Sequence, residues 1–211
     1  MRTDDWATRA EADLLATVLS LAEALGWTQS AVYLAGHKLG LSRAETDLLV
    51  PHGPADLAAL YARDQDRRAL ASLADTDPKS LKMRQRIRIA VLARLDAAVS
   101  SPSATRRWAG YLALPSRLPQ ALRLLWASAD SLWRWAGDTA TDENHYSKRA
   151  ILSGILISAL AIRLQAGPEA AEAYLDRRIE NVMAFETWKA KLRLPDLMAE
   201  LATALARLRY R

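Results

Sequence analysis

An all-α fold is what this sequence predicts, on two observations. Leu, Ala and Arg dominate while Val and Ile are sparse, a choice that favours helices over strands. Apolar positions also recur at helical spacing between Gly, Pro and Ser/Thr punctuation. At 211 residues, 51% of them hydrophobic and 25% charged, the chain can bury a sizeable core, as one domain or as a small lobe plus a larger one. It has no cysteine, which excludes disulfides and thiolate chemistry and suits a reducing compartment. The opening MRTDDWATRAEADLL carries Asp4, Asp5 and Glu11 and lacks an apolar stretch, unlike a signal or transit peptide. No segment reaches the roughly 20 apolar residues of a membrane span. The expected setting is the bacterial cytoplasm.

The elements follow in order. Asp13 to Leu25 has helical spacing and stops at Gly26. Thr28 caps a second helix from Gln29 to about Leu39, which Gly40 ends. Ser42 opens a third, Arg43 to Leu49, with Glu45 completing a capping box. The tight turn between the second and third helices makes a helix-turn-helix-like unit. Pro54 begins a fourth helix to about Leu73, and the loop Asp75–Pro78 separates it from a basic helix, Lys79 to Val99. Further helices are expected over Ala104–Leu114, Gln120–Ala136, His145–Gln165, Pro168–Leu192 and Pro195–Arg209. A three-helix front unit followed by about six helices is the TetR-like plan. The expected division is 1–54 for the front unit, 55–192 for a helical binding and dimerisation bundle, and 193–211 for an amphipathic end.

The net charge of +5 invites a nucleic-acid reading, so its distribution matters. Residues 1–60 hold four cations (Arg2, Arg9, Lys38, Arg43) against eight acids, a net of −4. The candidate recognition helix carries Glu45 and Asp47 where phosphates would lie, and like-sign repulsion opposes DNA affinity. The basic charge sits in the middle of the chain and at its end. No nucleic acid is therefore expected as a partner.

The most informative stretch is Trp133 to Leu164. An aromatic helix end leads to a polar loop with Asp138, Asp142 and Glu143, then the pair Tyr146 and Arg149. The helix that follows is apolar nearly all round, with only Ser153, Gly154, Ser158 and Arg163 intervening from Ala150 to Leu164. A helix without a polar face is buried or in lipid, and this run is short for a span. It is expected to be a central, buried helix whose small residues leave room for a close neighbour or a ligand. One bundle rarely covers such a helix on all sides, which predicts a homodimer through 145–165 and 168–192.

The order W-x-x-AGD-x-x-TD-x-N-x-Y-x-KR followed by an apolar helix resembles the accessory lipid-binding proteins of coenzyme Q (ubiquinone) biosynthesis, the Coq protein numbered nine, which have a TetR-like fold. The resemblance spans roughly residues 10–192 and is most specific over 126–183. It implies a non-catalytic protein that binds an isoprenoid quinone precursor or a phospholipid and presents it to a membrane-associated hydroxylase. The alternative is a TetR-like transcriptional regulator with an apolar small-molecule effector.

Candidate sites follow from the residues and from that resemblance. An apolar cavity is the default binding hypothesis in such a bundle. Its candidate walls are Trp126, Trp133, Ile151, Ile155, Leu156, Leu160, Tyr174, Ile179 and Met183, with a solid core as the other reading. Asp142, His145, Tyr146 and Arg149 form a surface constellation, Tyr and Arg being enriched at interface hot spots. The plainer reading pairs Arg149 with Asp142 or Asp138; the resemblance makes the region a dock for the hydroxylase, although many relatives have Trp where this chain has His145. The last helix aligns Leu197, Met198, Leu201, Leu205 and Leu208, with Arg207 and Arg209 beside them. It could dock on its own bundle or lie on an anionic membrane, and the resemblance favours the membrane, hence a peripheral place on the bacterial inner membrane. Asp142-x-x-His145 has ligand spacing, but the three histidines build no second such motif, so no metal is expected. No phosphate loop, dinucleotide fingerprint or nucleophile elbow occurs, so neither a cofactor nor an enzyme is expected.

Overall fold

The computed structural model describes residues 3–138 and 143–191, with side chains over 6–138 and 145–181. These residues form nine helices and no strand: α1 (Thr3–Leu25), α2 (Gln29–Lys38), α3 (Arg43–Leu49), α4 (Pro54–Ser72), α5 (Met83–Val99), α6 (Pro102–Leu112), α7 (Leu118–Trp135), α8 (Glu143–Ala166) and α9 (Pro168–Lys191). The predicted bounds shift where proline is concerned. Pro78 opens a short 3-10 turn, capped by the Asp77 carboxylate accepting from the Lys79 amide (2.9 Å), so α5 starts at Met83 and not Lys79. Pro119 does not precede α7 but lies in its first turn, where a missing N–H costs nothing. Helix α1 starts ten residues before the apolar spacing does, in a segment that carries no apolar stripe.

The front unit is fixed by its caps. The Thr28 hydroxyl accepts from Ala31 N (3.3 Å), and Ser42 and Glu45 satisfy each other's backbone amides in a full capping box. Gly40, at φ 74°, lets α2 turn back so that Leu41 N donates to Gly36 O (2.9 Å). A Cβ at Gly36 would collide with Thr46 Oγ1, so glycine there lets α2 and α3 close on each other without moving that side chain.

Two hydrophobic clusters form the core. The first unites α1, α2, α4 and α6 through Leu14, Val18, Trp27, Val32, Leu57, Tyr61 and Trp108. Trp27, Tyr61 and Trp108 pack in succession, with ring centroids 5.8 and 5.7 Å apart. Each buried ring has its polar atom satisfied: Trp108 Nε1 donates to Ala58 O (3.0 Å), Trp27 Nε1 to Pro54 O (2.9 Å), and Tyr61 Oη pairs with Thr105 Oγ1 (2.7 Å). The second cluster joins α5, α7, α8 and α9 through Ile87, Val91, Leu132, Leu152, Ile155, Leu156 and Leu175, and Leu160 touches both. The front helices thus share one core with α4 and α6.

Helix α8 departs from expectation. It packs on α5, α7 and α9, which cover only part of its circumference, leaving Ile151 38% and Ile157 55% exposed beside exposed Ala150, Gly154 and Ala161. It is not the fully enclosed central helix that its composition predicted. The segment His145–Ala166 is also long and apolar enough, by length and composition, to cross a membrane, which the shorter Ala150–Leu164 run had argued against.

Candidate functional site

An apolar pocket of about 170 Å³ opens between α4, α5, α6, α7 and α8. Helix α7 supplies most of one wall because Leu118, Ala121, Leu122, Leu125 and Ser128 recur every three or four residues and share a face. Trp108 and Leu112 of α6 stand opposite, with Leu156 and Leu160 of α8. Exposure falls from mouth to floor. Leu118 (52%), Leu122 (58%) and Ile157 (55%) rim the opening, whereas Ser128 (3%) and Arg94 (6%) lie at the buried end. There Arg94 Nε donates to Asp66 Oδ1 (2.6 Å) and Ser128 Oγ to Asp66 Oδ2 (2.9 Å).

Of the nine residues expected to line a cavity, Leu156 and Leu160 do so. Ile155 is buried in the second cluster, and Trp133, Tyr174 and Ile179 pack against it. Trp126 stands with its ring centroid 6.1 Å from that of Tyr146, and Ile151 is exposed. Met183 lies outside the described side chains. The walls that sequence reasoning missed are the leucines of α7 and the aromatic face of α6. The signal was present in the i, i+4 series Leu114, Leu118, Leu122, whose outward position no ordinary core explains.

The constellation at the start of α8 divides in two. Tyr146 is 65% exposed, its ring 5.2 Å from His145 and 6.1 Å from Trp126, so three aromatic groups adjoin at the surface. Arg149 is instead 2% exposed. Its Nε donates to Asp130 (2.6 Å), and its Nη1 to Asp138 (3.1 Å) and to the His145 carbonyl (3.1 Å). Lys148 Nζ also donates to Asp138 (2.6 Å), and Trp133 Nε1 to the Lys148 carbonyl (3.1 Å). Burial would raise the pKa of Asp138, but hydrogen bonds from Lys148 and Arg149 outweigh it and hold the carboxyl below the usual carboxylate range. Arg149 is therefore a clasp between α7, the loop and α8. Its pairing with Asp138 was one of the two readings open in the sequence; Asp130 was missed. Asp142 lies outside the described residues, as do Leu197, Met198, Leu201, Leu205, Arg207, Leu208 and Arg209.

The exposed cation of α3 stacks on a ring of the neighbouring α2. The Arg43 guanidinium sits 4.2 Å from the centre of the Tyr33 ring, and Tyr33 Oη donates to Asp47 (2.9 Å).

Comparison with known proteins converges on the same region. The family model for COQ9 matches residues 118–186, which take in α7, α8 and most of α9. The chain is 29% identical over 181 residues to the ubiquinone biosynthesis protein COQ9, mitochondrial, of Rattus norvegicus, covering 81% of this chain and 57% of that one. It is 28% identical over 185 residues to the corresponding protein of Xenopus tropicalis (82% and 58% covered) and 27% identical over 181 residues to that of Homo sapiens (81% and 56%). The chain spans somewhat more than half the length of these relatives. Among solved structures, the TetR transcriptional regulator from Nitrosomonas europaea superposes with a TM-score of 0.61 at 16% identity, over 81% of this chain and 95% of that one. At that identity the likeness shows the fold alone. The resemblance carried by residues 126–183 is thereby shown: this chain is similar to the COQ9 proteins, and its all-α fold is TetR-like.

Proposed function

We propose that this protein is a non-catalytic accessory protein of ubiquinone biosynthesis that binds an isoprenoid quinone precursor in the pocket between α4 and α8 and presents it to a membrane-associated hydroxylase. The observation that carries the reading is the pocket itself, apolar in its walls apart from Arg94 and Ser128 at the buried end and rimmed by exposed Leu118, Leu122 and Ile157. The names of the relatives supply the pathway, and their mitochondrial location corresponds here to a peripheral place on a bacterial inner membrane. The aromatic group His145, Tyr146 and Trp126, with Asp142, is the surface offered to the hydroxylase. Residues 195–211 are the membrane-binding element. The uncovered face of α8 seats a second copy of the chain, with α9 beside it.

Native mass spectrometry of the purified chain tests the central claim. A co-purifying isoprenoid, displaced when Leu122 at the rim is replaced by Glu, is the expected result. Protein that never retains lipid, even after incubation with membranes, would refute it. Sedimentation at micromolar concentration tests the dimer, and a monomer throughout would remove it. The regulator reading predicts tight, salt-sensitive duplex binding, which the front-unit balance of −4 and the engaged Arg43 oppose.

A further inference from the structure

A pocket meant for hydrocarbon alone needs no cation at its buried end, yet Arg94 stands there. Its charge is balanced by Asp66, whose two oxygens are taken by Arg94 Nε and Ser128 Oγ. Among the described residues, nothing accepts from the terminal amino groups of Arg94, although that residue and Ser128 both line the pocket. The floor therefore offers N–H donors and the lone pairs of one hydroxyl, with no net charge.

We infer that the pocket takes the uncharged, oxygen-bearing head of an amphipathic ligand inward, held by the Arg94 donors, with Ser128 accepting where the head carries a hydroxyl, and leaves the ligand's chain at the mouth. This rests on the lipid-binding reading above. A hydrocarbon end at the floor would leave the guanidinium donors without water and without acceptors. An anionic head would add a second negative charge beside Asp66 at a floor shielded from water. A carbonyl or phenolic oxygen meets the donors and adds no charge. Size points the same way: an apolar cavity of about 150 Å³ holds one benzene ring, so about 170 Å³ admits a single substituted ring or a few carbons of chain. The rest of the chain lies along Leu118, Leu122 and Ile157.

Calorimetric titration of the 211-residue chain at pH 8 with four probes tests this. The probes are a benzoquinone bearing one prenyl group, prenylbenzene, methyl palmitate and palmitate. The expected result is about ten-fold tighter binding of the quinone than of prenylbenzene, the worth of one buried hydrogen bond, and a similar preference for methyl palmitate over palmitate. Which neutral probe binds better tells a ring carbonyl from an ester as the natural head. Replacing the ion pair by apolar side chains, Arg94→Met with Asp66→Leu, should bring the quinone-to-prenylbenzene ratio close to one while the helical circular dichroism is kept. Equal binding of quinone and prenylbenzene by the unaltered chain overturns the inference and leaves the lipid reading standing, as does palmitate binding at least as well as its ester. Binding of none of the four overturns both. The ratios in the unaltered chain decide the matter even where the double variant fails to fold.

Discussion

Two arginines, Arg94 and Arg149, are buried in this bundle, and they solve the same problem differently. Arg149 is surrounded by acceptors: Asp130 on α7, Asp138 at its end and the His145 carbonyl on its own helix. Arg94 has Asp66 and then open pocket. A buried cation whose donors reach two helices and the loop between them holds those elements together. One that keeps donors facing a cavity is equipped to hold something else. Burial and sequence spacing do not separate the two cases, and only the surrounding acceptors do.

The largest effect expected from breaking this comparison is at Arg149. Arg149→Met leaves the Asp138 carboxylate, which is 4% exposed, with Lys148 alone and removes the cation that ties it to Asp130, and should lower stability by about 3 kcal/mol, read in a chemical melt. A loss under 1 kcal/mol would mean the clasp is not structural. Arg94→Met should do less, about 1–3 kcal/mol, because Asp66 is 14% exposed and keeps the Ser128 hydroxyl. If both substitutions cost the same, the two sites are structurally equivalent and the distinction drawn from their acceptors fails.

Acid should also tell them apart. The folded pKa of Asp138 is depressed below its unfolded value of about 3.9, so its contribution is present above that pH and is lost as pH falls through the folded pKa. Asp138→Asn should therefore flatten the stability profile below about pH 4 and leave the slope between pH 5 and 7 unchanged. An unchanged acid limb would show that Lys148 and Arg149 do not act on this carboxylate in solution. The smallest effect belongs to the more exposed pair of Arg88 with Asp176 and Glu172, at 34%, 46% and 45% exposure. Arg88 likewise lowers the pKa of Asp176. Arg88→Gln should cost about 0–1 kcal/mol and even less at 1 M salt, as screening predicts.

Much of the fold was legible because caps and breakers act locally. Thr28, Ser42 with Glu45, and Pro54 each satisfy or remove a backbone donor at a helix start, and they set α2, α3 and α4 to within a residue. The site was less legible, because a pocket is made by what fails to meet across several helices. Leu125 reads as core and Leu122 as an ordinary amphipathic residue, yet both line the pocket, because α6 and α8 do not close over them. Arg94 looked like one more cation in a basic segment, since Asp66 and Ser128 reach it from 28 and 34 positions away in the chain. The aromatic surface was clearer, as Tyr146 and His145 adjoin in sequence, but its Trp126 member had been placed in the cavity.

The run of rings from Trp27 through Tyr61 to Trp108 has a consequence for what can be removed from this protein. Trp27 belongs to the turn that leads into α2, while Trp108 is a wall of the pocket. Shortening the chain from its start would take away the first ring and loosen the last. The front end buttresses the pocket through these rings, so this protein cannot be trimmed to its last helices and keep a shaped pocket.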